Sequence, residues 1–327
     1  MIDDVGAGGL ARGCHRLHAA PRRSDTDRQR RGRARVLGTE SVSSIGYSMF
    51  RLQLRNELWK LFGKKRTYIG FVMFLLAQNI IALVFRFTRA SQPLQRMLEG
   101  NGYLAEPFIS ILTIATIMLI PLAAFLLPLY VSLIGGDLVA KEAEEGTLRM
   151  MLCRPVSRVR LLLVKWVAGS IFCVALVAVL AVFGLLFASL HFPWGGLFVW
   201  MPEQGIFSVL TASEGLRHYV AAHIMLVTEA VSIMGLAFMF SCFNIKPAAA
   251  TILALSFVFV SFILEHIPYF KEYEQWFLTY HLNLWQLMFA ERVPWPRVAE
   301  SLSLLVGFNV SFLMVGVATF HVRDIKS

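Results

Sequence analysis

A chain of 327 residues that is 57% hydrophobic, with a mean hydropathy of +0.61, is too apolar for an ordinary soluble domain. Its formal net charge is +10, but +4 of that sits in residues 1–48, which hold nine Arg and five acids. Most other cations lie in short segments beside apolar runs, where they orient a chain in a membrane, so nucleic acid is excluded as the partner that this charge serves.

Residues 1–48 are Arg-rich and poor in large apolar side chains, and read as a disordered basic tail. They lack the apolar stretch of a signal peptide. Met49 opens FRLQLRNELWK and is taken as the natural start, with the tail an over-extended one. Phe50, Leu54, Leu58 and Leu61 recur at helical spacing with Arg51, Arg55 and Lys60 opposite, which makes residues 49–66 an amphipathic interfacial segment with Trp59 at headgroup level.

The fold class expected is an all-α integral membrane protein. Six apolar runs over about 67–85, 108–134, 166–190, 219–243, 248–264 and 302–320 divide residues 67–327 into spans, each near the ~20 residues that a hydrocarbon core requires. An even number of spans puts both termini on one side. From Met49 onward, 15 Lys and Arg fall on the side of the termini and seven on the other, which makes the first side cytoplasmic. Pro121 and Pro128 predict an irregular second span, because each removes a backbone donor.

The segment between the second and third spans is the most informative. Residues 140–145 read as helix stopped by Gly146, which readily takes the left-handed conformation that closes a helix. Thr147 caps a short second helix over 148–153, with Leu148, Met151 and Leu152 on one face. Arg154 precedes Pro155 and is pushed out of helix, and Ser157 caps the next one. The expectation is a stub held at the membrane surface, with an apolar knob and the acids Glu142, Glu144 and Glu145 facing a soluble partner.

Gly136, Asp137, Glu142, Glu144, Gly146, Thr147, Leu148, Pro155, Ser157 and Arg158 follow, in order and at one spacing, a pattern that resembles the permease subunits of type-2 ABC exporters. The resemblance implies a dimer with a second permease copy or paralogue, and coupling of the 137–165 stub to a cytosolic ABC ATP-binding subunit. It also implies that residues 49–66 form a connecting helix against that ATPase, and that short outer helices follow the fifth span. Glu142, Glu144, Glu145, Gly146, Thr147, Leu148, Met151, Leu152, Pro155, Ser157 and Arg158 are then the coupling residues. Arg149 and Arg158 are also suited to lipid headgroups or to the stub's own acids.

In the outer segments, 191–218 carries Trp194 and Trp200 as an aromatic belt. Residues 273–289 are predicted as an interfacial helix with Trp276, Tyr280 and Leu284 on one side. Cys14 and Cys153 fall on the cytoplasmic side, Cys173 within a span and Cys242 near an inner end, so no exported disulfide is expected.

Glu229 lies about 16 Å along the fourth span, where a bare carboxylate is costly. It reads either as a pathway-lining or proton-responsive group, or as a neutral acid bonding a neighbouring helix. Gln78 and Asn79 sit at mid-depth in the first span, as partners for Glu229 or as helix–helix adhesive. His218, His223 and Glu229 miss a common helical face, and no metal site is expected. Zinc-protease, serine-hydrolase and phosphate-loop motifs are absent, so no catalytic residue is assigned. ATP and Mg are expected on the partner ATPase, with no cofactor on this chain. The two function classes are a permease subunit in the plasma or inner membrane and a non-transporting membrane scaffold or sensor that recruits a cytosolic partner.

Overall fold

The computed structural model describes residues 49–148 and 157–322. Gln53–Ser327 form one compact unit; Met1–Leu52 form another, of which only 49–52, a helical stretch, is described. Helix α1 runs over residues 49–63. The helices that follow are α2 (Lys65–Phe87), α3 (Gln92–Gly100), α4 (Ile111–Pro121), α5 (Leu127–Glu144), α6 (Arg158–Ser189), α7 (Ala212–Ser241), α8 (Pro247–His266), α9 (Leu278–Leu282) and α10 (Trp295–Val322). Helices α4 and α5 are joined by a π-helical turn, Leu122–Leu126, and form one span, so among the described residues six segments are long and apolar enough to cross a membrane. All six predicted spans are present.

Burial ranks them. Some 61% of the apolar stretch in α7 and 56% of that in α4–α5 is covered by protein, against 17% for α2 and 11% for α10, so α5 and α7 form the centre. Apolar residues on all sides are what a buried helix requires; a peripheral one turns much of the same surface toward lipid. A close approach of α5 to its neighbours runs through Gly135 and Gly136. A Cβ on Gly135 would lie 2.5 Å from the Met234 carbonyl oxygen, and one on Gly136 would lie 2.5 Å from Thr251 Oγ1. Their missing side chains let α5 meet α7 and α8 backbone to backbone.

The observed helices outrun the predicted spans. Helix α5 continues unbroken to Glu144, so that Asp137 lies on the same helix as Lys141 and Glu142, which were expected to be helical. It closes as expected, with Gly146 at φ 74°. Ser157 caps α6, its hydroxyl accepting from Arg160 N at 3.4 Å. Where a kink was expected from Pro121 and Pro128, the π turn lies between them and absorbs an extra residue within the span.

At the opposite end, the sequence reading missed an antiparallel hairpin, β1 (Leu197–Met201) and β2 (Ile206–Leu210), with Leu197 opposite Leu210 and Met201 opposite Ile206. It is stitched to the start of α4: Ser110 Oγ donates to Gly196 O, Ile111 N to Pro193 O at 3.0 Å, and Phe198 N to Thr113 Oγ1 at 2.9 Å. A Thr211–Glu214 capping box then starts α7. The continuous helix predicted over 273–289 is corrected: a 3₁₀ turn (Pro268–Trp276), α9 and a second 3₁₀ turn (Asn283–Phe289) replace it. Trp276 is exposed while Leu284 is buried, so they do not share a face.

Gly136→Val should lower stability by about 3 kcal/mol through overpacking, read as a lower thermal midpoint of the detergent-solubilised chain. Gly307→Ala, with open space around the new methyl, should not.

Candidate functional site

Two polar constellations lie in the apolar unit. The first surrounds Lys165, eight helical positions past the cap of α6, whose side chain is 1% exposed. Lys165 Nζ lies 2.8 Å from Glu57 Oε2 on α1 and 2.7 Å from Glu142 Oε2 on α5. Lys60 Nζ contacts the other oxygens of both acids, Glu57 Oε1 at 2.7 Å and Glu142 Oε1 at 3.2 Å. Two ammoniums and two carboxylates thus form a neutral square joining α1, α5 and α6, which is the condition under which buried charge is tolerated. Arg66 Nη1 to Asp137 Oδ2 at 2.9 Å adds a tie between α2 and α5.

Burial pushes the Glu57 carboxyl up, but Lys165 and Lys60 outweigh it and hold the group below its ordinary value. Burial likewise pulls the Lys60 ammonium down, and Glu57 and Glu142 more than restore it. Lys64, by contrast, is lowered by burial and by the like charge of Lys141.

Around the square the corner between α1 and α2 is fixed by Thr67 Oγ1 donating to Leu61 O at 2.6 Å, and Tyr130 OH donates to Thr67 O at 2.7 Å. Phe62, Phe71, Phe74 and Tyr130 pack with Phe172 and one another at centroid separations of 5.5–6.5 Å.

The second constellation centres on Glu229 of α7, which is 5% exposed. It lines a cavity of about 90 Å³ with Phe125 of the π turn, Pro128 of α5, Phe259 and Phe262 of α8, and Thr279 of α9. The Trp285 indole lies beside the carboxyl. Glu229 Oε2 has no hydrogen-bond partner among the described residues.

A family profile described as ABC-2 family transporter protein matches residues 54–273, more than half of the chain. The chain belongs to that family. A search of curated proteins gave no match. An ABC-2 family member with six apolar spans is a multi-pass membrane permease of an ABC transporter, and the family works with an ABC ATP-binding subunit.

The residues singled out in the sequence of this ABC-2 permease separate into three groups. Glu144 and Glu145 are exposed at the end of α5, with Gly146 and Thr147 after them. Met151, Leu152 and Pro155, with Arg149 and Cys153, lie outside the described residues. Of the other coupling residues, Ser157 caps α6 as expected, while Glu142, Leu148 and Arg158 depart from expectation. Glu142 turns inward to Lys165 and Lys60. Leu148, expected on an exposed knob, is 2% exposed and packs in the chain's own core. Arg158 donates to Phe320 O at 3.4 Å and His321 O at 3.2 Å, satisfying carbonyls in the last turn of α10 instead of facing headgroups or the stub's acids.

Gln78 does not pair with Glu229: its Nε2 donates to Leu180 O of α6 at 2.9 Å, the adhesive role. Asn79 is half-buried on the same helix. Sequence reasoning missed Lys165 and Glu57. The available signal was a lysine followed directly by an apolar run, and an acid on the apolar side of α1.

Lys165→Met should destabilise the fold by about 3–5 kcal/mol, because two buried carboxylates lose their shared ammonium. Adding Glu57→Gln and Glu142→Gln should recover part of the lost thermal midpoint. The depressed Glu57 carboxyl contributes stability that is fully present above its ordinary value of 4.5 and is lost as pH falls through the lower folded value. An acid unfolding titration of wild type against Glu57→Gln should therefore converge at low pH. The raised Lys60 contributes below 10.5 and loses that contribution as pH rises through its folded value.

Proposed function

We propose that this chain is the pathway-forming permease subunit of an ATP-driven ABC exporter of the plasma or inner membrane. Family membership over residues 54–273 is the observation that carries the reading. The chain itself hydrolyses nothing: ATP and Mg belong to a separate cytosolic ATP-binding subunit, and two permeases, identical or paralogous, pair with two such subunits. The end bearing α1, the end of α5, the start of α6 and the end of α10 is cytoplasmic, which the excess of Lys and Arg on that side supports.

Docking engages the segment between α5 and α6. Exposed Glu144 and Glu145 offer two carboxylates to basic groups of the ATPase, Gly146 and Thr147 shape the turn, and Met151, Leu152 and Pro155 supply the apolar contact. Ser157 starts α6 at the far side of the segment. Force arriving there reaches α5, α6 and α1 together, because the Lys165 square binds the three. Closure of the two ATPases is then converted into a two-state repacking of the helices that line the pathway.

In proteoliposomes containing the permease and its ATPase, cargo should stimulate ATP hydrolysis; association with no stimulation by any candidate cargo would favour a recruiting scaffold instead. The combined variant Glu144→Lys, Glu145→Lys should weaken co-purification of the ATPase about tenfold while leaving the thermal midpoint unchanged. Unchanged association would remove these two acids from the docking surface. Leu148→Asp is unsuited to this purpose, because a buried leucine reports on folding.

A further inference from the structure

We propose that the Glu229 cavity is a binding site for a small organic monocation, an alkylammonium or quaternary ammonium group, entered from the end of the bundle that carries α9 and the hairpin.

Three sets of contacts point there. The first is the orphaned acid. A carboxyl that is 5% exposed within a membrane span must be neutralised by a proton or by a positive guest. Its Oε2 has no hydrogen-bond partner among the described residues even though the Trp285 indole lies beside the carboxyl, and no lysine, arginine or histidine lines the cavity with it.

The second is the wall. Phe125, Phe259 and Phe262 line the cavity, and all three are substantially exposed on the bundle's surface. A ring face attracts a desolvated cation, most strongly one whose own hydration is weak. That chemistry favours an organic ammonium over a metal ion, and no cluster of three or more metal-ligating side chains occurs among the described residues. Phe125 is in place because of the π turn: the extra residue between Pro121 and Pro128 rotates this part of the span, and such turns recur at functional sites.

The third is the route outward. Thr279, which lines the cavity, meets Ser261 through their hydroxyls at 3.2 Å and also touches Glu265, one turn further along α8. Glu265 has an orphaned Oε2 of its own. Glu203 of the hairpin turn and Glu274 lie close enough to act on its charge, with His266 beside it. Negative potential thus extends from that end of the bundle to a hydroxyl at the cavity and on to a buried carboxyl, an arrangement that attracts a positive ligand. The volume of about 90 Å³ admits a small head group and excludes a bulky drug. The chemistry of this guest rests on the cavity alone; that the guest is cargo rests on the permease reading.

The probe is tetramethylammonium, with tert-butyl alcohol as a neutral molecule of similar shape, titrated calorimetrically into the full chain in lipid nanodiscs. The ammonium should bind and the alcohol should not. Glu229→Gln should weaken ammonium binding about tenfold or more, and Phe259→Leu about threefold. Equal binding of the alcohol, or ammonium binding that survives Glu229→Gln in a folded chain, overturns the proposal. So does sodium binding that depends on Glu229 and is indifferent to Phe259→Leu. If Glu229→Gln does not fold, Phe259→Leu, Phe262→Leu and the alcohol decide: ammonium binding unaffected by both aromatic losses overturns the site. The assay contains no ATPase, so failed ATPase coupling would sink the permease reading and leave this site standing.

Discussion

An ammonium with 1% of its surface exposed cannot stand alone in an apolar bundle, and that constraint organises one end of this protein. Lys165 requires Glu57 and Glu142, those acids in turn hold Lys60, and the four groups come from three helices far apart in sequence. Apolar packing between lipid-exposed helices specifies little about register, because one leucine face fits another at many offsets. A charge that must meet its partners within hydrogen-bond distance permits few. The square therefore fixes where α1 lies against α5 and α6, and the Arg66–Asp137 pair does the same for α2. Its contribution is geometry more than stability, since buried ion pairs roughly offset their own desolvation.

The two constellations follow opposite logics. Around Lys165 charges balance within the chain, and the acids there sit close to both ammoniums. Around Glu229 the balance is incomplete: one oxygen of a buried acid faces open volume edged by aromatic rings. A self-satisfied cluster holds an architecture together, while an unsatisfied one is available to something from outside. That difference is why the first is assigned to construction and the second to binding.

The sequence revealed the features that depend on local chemistry. Length and apolarity identified six spans, Gly146 marked the end of α5, Ser157 the start of α6, and the pair Pro121 and Pro128 the break in the second span. Glu229 was conspicuous because a carboxylate in hydrocarbon always requires a reason. What escaped notice depends on pairing across distance. Glu142 read as a helical acid turned toward a soluble partner, whereas its two lysines lie on α1 and α6, and Leu148 looked like a surface knob because helical spacing says which side a residue is on, not what covers that side. The hairpin was hidden for another reason: its strands are as apolar as the neighbouring spans, so composition alone made them a belt.

The hairpin also has a mechanical consequence. Hydrogen bonds from Ser110 and Ile111, and one from Phe198 N to Thr113, bolt its base to the first turn of α4, while Met201 and Ile206 beside its turn are buried in the main core. A tilt of α4 is therefore carried into the hairpin as a whole, and its turn at Glu203 moves with the span. A label at that turn would register movement of the helix without touching a single residue inside the bilayer.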